Sequence, residues 1–166
     1  MASIIDILGS SFIGGLLLLL MLKLNLFVNS SSVTSDNELK LQQNSKTLAE
    51  IINYDFRKIG YECDSTAIAI ADSNHIKFYA DLDRNNTVDV LEYYTSDTTV
   101  ATGTDNPRDI ILYRKYNGVE MGGPTLGLTN IKFSYLDEFN VVTNLLANIK
   151  YIKVELWVES TIPEME

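Results

Sequence analysis

The stretch Ile4–Val28, IIDILGSSFIGGLLLLLMLKLNLFV, limits what this chain can fold into more than any other feature. From Ile7 to Leu22 it carries no charge, and Leu16 to Leu22 is an unbroken run of large apolar side chains. A helix that crosses a bilayer needs about 20 apolar residues. This one reaches that length when Lys23 snorkels and Asp6 sits at the other interface or beside a cation. Ser10/Gly14 and Ser11/Gly15 are pairs of small residues one turn apart, a spacing that lets helices approach closely. A cleaved secretory signal has a basic segment ahead of its apolar run. Met1–Ser3 hold none, so the stretch is expected to be retained. It must then be covered, either by lipid or by copies of itself, and self-assembly is the expectation.

The formal net charge is −9, and Asp6 and Lys23 cancel, so the acidity lies beyond the leader. That excludes nucleic acid and anionic lipid surfaces as partners, since both need a basic face. A single cysteine, Cys63, excludes an intrachain disulfide and a cysteine-based zinc site. An apolar core, oxygen-ligated metal or neighbouring copies must hold the domain together.

After Asn29–Ser32, whose side chains compete for backbone groups and mark a place to bend or melt, helical periodicity returns. Leu41, Leu48, Ile51, Ile52, Phe56 and Ile59 fall on one stripe, and Gly60 is the expected terminator. From Ala67 the period changes to two. Segments 67–71, 75–80, 87–94, 110–115, 128–136 and 149–158 read as strands. Turn signals such as Asp83–Asn86, Asn117-Gly118 and Gly122-Gly123-Pro124 separate them. The expected fold is α+β: a long hydrophobic N-terminal helix (1–32) leads into a globular domain (33–166). In that domain an amphipathic helix over 33–60 packs on an antiparallel β-rich region over 66–160.

One loop carries the ligand spacing of a metal site. Counting from Asp81, oxygen-bearing residues fall at Asp81, Asp83, Asn85, Thr87, Asp89 and Glu92, the pattern of an EF-hand calcium loop. Thr87 is expected to contribute its backbone carbonyl. Asn86 stands where glycine is usual, and asparagine also tolerates a left-handed backbone. The flanks read as strands, which puts the loop inside a hairpin; an ordinary solvated turn is the alternative. His75 is the sole histidine and has no partner evident in sequence, and no phosphate loop, nucleophile elbow or HExxH is present. No constellation for catalysis is found.

The apolar helix, its amphipathic continuation and the strand-rich remainder together resemble a type IV pilin or pseudopilin, in particular the W/J-type minor pilins. The segments IINYDFRKIGY, IKFYADLDRNNTVDVLEYY, NPRDIILYRKYNG, LTNIKFSYLDEFNVVT and IKYIKVELWVES carry the resemblance. It implies a structural subunit of an extracellular, pilus-like helical filament at the cell surface. Such a subunit resides in the cytoplasmic membrane before assembly, and its partners are further copies of itself and the inner-membrane pilus assembly machinery. If Met1 is removed, Asp6 becomes the fifth residue, where the family carries a glutamate that pairs with a neighbour's terminal amine. The alternative for Asp6 is a helix-start acid favoured by the macrodipole. Other readings are a minor pseudopilin that primes or caps a type II secretion pseudopilus, and a monomeric, membrane-anchored calcium-binding domain.

Overall fold

The computed structural model describes residues 3–63, 66–101, 104, 106–122 and 126–160. It confirms the α+β class. A single helix, α1 (Ile4–Phe56), is followed by seven strands: β1 (Ile68–Ala71), β2 (His75–Ala80), β3 (Asp89–Thr95), β4 (Leu112–Tyr116), β5 (Val119–Gly122), β6 (Leu128–Leu136) and β7 (Tyr151–Val158). The chain divides into two compact units, Met1–Lys40 and Leu41–Glu166.

The described part of the first unit is helical, and α1 is long and apolar enough to cross a membrane by length and composition. Asn29–Ser32 does not melt. Asn29 Nδ2 donates to Asn25 Oδ1 at 2.9 Å, and the Ser30 hydroxyl donates to the Phe27 carbonyl at 2.9 Å. The polar side chains that were expected to unwind the helix instead bond within it. At the helix start the backbone N–H of Ser3 donates to Asp6 Oδ2 at 3.0 Å, and Ser3 Oγ accepts from the N–H of Ile5, a reciprocal capping arrangement.

In the second unit β1 to β5 form an antiparallel sheet in sequence order, and β6 and β7 form a separate antiparallel pair. Alternation buries Ile76 and Phe78 of β2, Leu91 and Tyr93 of β3, and Ile131, Phe133 and Tyr135 of β6. Leu48 and Ile52 of α1 pack into the same cluster. Phe56 lies where the layers meet, with ring centroids 5.7 Å from Phe78, 5.7 Å from Tyr93 and 5.8 Å from Phe133. Burying one such ring stabilises by about 1.5–3 kcal/mol, so this residue joins both sheets to the helix. The chain leaves the helix at Phe56 and turns through Gly60, whose φ of +78° suits glycine; its N–H donates to the Tyr79 carbonyl.

Candidate functional site

The β2–β3 hairpin is closed by the loop that the ligand spacing singled out. Ala80 pairs with Asp89 at its base, and Asp81 and Asp89 are buried while Asp83 is exposed. One carboxylate oxygen from each of Asp81, Asp83 and Asp89 lies within 4.8 Å of the others. Calcium–oxygen distances run to about 2.6 Å, so one ion can touch all three. Asn86 adopts a φ of +62°, the left-handed backbone expected at the glycine position, and Arg84 is also left-handed at +64°.

The loop also answers part of its own charge. Asp81 accepts from the N–H groups of Asn85 at 3.1 Å and Asn86 at 2.9 Å. Asp89 accepts from the N–H of Leu82 at 2.9 Å and from Asn117 Nδ2 at 2.7 Å. Burial pushes the Asp89 carboxyl upward, but these hydrogen bonds outweigh it and hold the group below the usual carboxylate value. Among the described residues none of the three aspartates pairs with a lysine or arginine. A set of hard anionic oxygens converging without a cation fits a divalent ion of the calcium type.

Two other residues of the pattern are used differently. Asn85 Oδ1 accepts from the Thr87 N–H at 2.7 Å, and its Nδ2 donates to Asp83, so Asn85 braces the turn. Glu92 is not part of the cluster. It stands on the opposite face of β3 from Asp89, and its Oε1 lies 2.8 Å from Nε2 of His75. His75 therefore has a partner, which cross-strand register brings within reach.

Asp109 was not anticipated. It is fully buried, and among the described residues neither of its carboxylate oxygens has a hydrogen-bond partner. The pair Asp55–Arg114 was also missed, although a carboxylate on the apolar stripe between Ile52 and Ile59 was a visible signal.

The expected assembly residues lie in the first unit. Ser10, Ser11, Gly14 and Gly15 are exposed, and a Cβ added at either glycine meets nothing within 4 Å. Comparison with protein-family models, curated proteins and solved structures finds no match.

Proposed function

We propose that this chain is a structural subunit of a type IV pilus-like helical filament, assembled through the apolar part of α1. The observation that supports this best is the exposure of the large apolar side chains of that segment. Ile4, Phe12, Leu16, Leu20, Leu24 and Phe27 are all about half exposed or more. Covering such surface returns ~25 cal/mol per Å², several kcal/mol for a helix of this size. The small-residue pairs Ser10/Gly14 and Ser11/Gly15 suit close helix–helix approach, which lipid contact does not require. Head-to-tail contacts between identical helices propagate as a filament when the rotation between copies does not close a ring.

On this reading the β-rich unit forms the outer wall of the filament, and the chain is held in the cytoplasmic membrane before assembly. Asp81, Asp83 and Asp89 would hold one calcium ion and so stiffen the β2–β3 hairpin. The W/J-type resemblance supports a minor, priming role as the second reading.

Negative-stain electron microscopy of the full chain after detergent removal tests the proposal. Fibres of uniform width are expected. Protein that remains monomeric and partitions wholly into vesicles would overturn it and leave a membrane-anchored, calcium-binding domain.

A further inference from the structure

The second unit carries a groove of about 620 Å³ walled by the end of α1, by β1 and by the start of β7. Its apolar floor includes Phe56, Ile68, Ile149 and Ile152, and its cations are Arg57 and Lys150. Among the described residues no acidic side chain lines it, although the chain as a whole is strongly acidic. Among the described residues neither cation forms an ion pair. An apolar trough with two uncommitted cations suits an acidic segment with apolar side chains.

The same unit presents such a segment. Between β6 and β7 the loop Asp137-Glu138-Phe139-Asn140-Val141-Val142 displays Phe139 at 76% exposure and Val142 at 69%. It is a built turn: Asp137 Oδ1 accepts from the N–H groups of Phe139 and Val141, each at 2.9 Å, and Asp137 N–H donates to the Val141 carbonyl at 2.9 Å. Val142 bridges back to Leu136. The apolar side chains are therefore held outward by hydrogen bonds. Their exposure shows that they do not fill the groove of their own chain.

We propose that this loop docks into the groove of a second copy, Phe139 and Val141 against the apolar floor and Glu138 against Lys150 or Arg57. Charge complementarity chooses the occupant: among its described residues the groove offers two cations and no acid, and the loop offers Asp137 and Glu138 and no base. The preformed turn lowers the ordering cost of docking, and the charge pair fixes which copy-to-copy arrangement forms. The contact rests on the filament reading for the supply of neighbouring copies, but its chemistry is independent of the apolar helix.

A photo-crosslinking amino acid, p-benzoylphenylalanine, in place of Phe139 in the full chain reads the contact directly. Irradiated filaments should yield a species of twice the chain mass, with the crosslink mapped to residues 53–59, 66–68 or 146–152. Glu138→Lys or Lys150→Glu alone should lower the yield several-fold, and the two combined should restore it. Filaments that form without this crosslink, or with it mapped elsewhere, overturn the docking and leave the filament standing. If no filaments form, the same experiment is run in detergent at high protein concentration. A groove crosslink there supports the docking alone, and its absence overturns the docking together with the filament.

Discussion

Asp55, at the end of α1, and Arg114, in the middle of β4, form a bidentate pair: Nε lies 2.7 Å from Oδ2 and Nη2 lies 3.3 Å from Oδ1. The Tyr93 hydroxyl donates to the same Oδ2 at 2.5 Å, and Asp55 is only 2% exposed. One carboxylate thus ties the helix to two neighbouring strands. Removing one partner of such a pair leaves a buried charge and costs about 3–5 kcal/mol. The Arg114 side chain is 28% exposed, so solvent screening puts Arg114→Met at the lower end of that range. Combining it with Asp55→Leu should recover most of the loss. Urea unfolding of the full chain in detergent, followed by circular dichroism, checks both; a cost below about 1 kcal/mol for Arg114→Met would mean the pair behaves as a surface one.

If Asp81, Asp83 and Asp89 hold calcium as proposed, the ion should raise the melting temperature of the second unit, because the three carboxylates converge only when the hairpin is formed. At a hundredfold excess over its dissociation constant a ligand adds about 2.7 kcal/mol, or several degrees for a domain of this size. Asp83 is exposed, so Asp83→Ala should leave the melting temperature without calcium nearly unchanged and abolish the calcium-dependent rise. A scan with chelator, with calcium, and with the variant under both conditions decides it. Equal melting temperatures in all four would remove the metal.

Alkali should unfold the domain earlier than its carboxylates and amines alone would require. Burial raises the Tyr93 phenol above its ordinary value near 10, helped by the hydrogen bond to Asp55 and that group's negative charge. Burial likewise raises Tyr135, with the Asp72 charge adding to it. A raised folded pKa means the unfolded chain gives up the proton first. The contribution to stability is therefore complete below about pH 10 and is lost as the pH climbs through that value towards the folded pKa. Stability measured from pH 8 to 11 should fall more shallowly in Tyr135→Phe than in the parent chain. Parallel curves would show that this phenol is not responsible.

Asp109 is a site where less polarity should stabilise. Among the described residues its carboxylate oxygens find no hydrogen-bond partner, so burying them carries a desolvation cost of about 1–3 kcal/mol. Its sequence neighbours Ile110 and Leu112 belong to the core cluster. Asp109→Leu is expected to raise the urea midpoint at unchanged slope; a lowered midpoint would show that the carboxylate has a role the fold needs.

Elements with a strong period were readable in advance, while contacts set by register were not. The helical stripe through Leu48, Ile52 and Phe56 and the alternation of β2, β3, β6 and β7 follow from side-chain period alone, although the helix stops at Phe56 and not at the expected Ile59. β5 (Val119–Gly122) was not among the expected strands. Its sign was the turn before it, where Asn117 (φ +46°) and Gly118 (φ +85°) make the left-handed pair a tight hairpin needs. The spacing that brings Asp81, Asp83 and Asp89 together was legible, and Glu92 lies outside that cluster for one reason. In an EF-hand the twelfth position comes from a helix, whereas on a strand residues three apart point to opposite faces. Asp55 and Arg114 are 59 residues apart in sequence and meet only through the packing of helix on sheet.

The apolar helix allows a test that separates self-assembly from lipid anchoring. Gly14→Leu and Gly15→Leu keep the segment apolar, so insertion into a bilayer is retained or improved. Within one chain the added side chains start from open space, since a Cβ at either position meets nothing within 4 Å. Leucine is also the better helix former by up to about 1 kcal/mol. An anchor should therefore tolerate both changes. Helices that pack on one another through the Ser10/Gly14 and Ser11/Gly15 faces should not, because a leucine pushes the two backbones apart. The expected outcome is a variant that folds and still enters vesicles but gives no fibres by electron microscopy. Fibres as abundant as those of the parent chain would show that these small residues do not form the contact, and Asp6→Asn would then be the next position to test for the same loss.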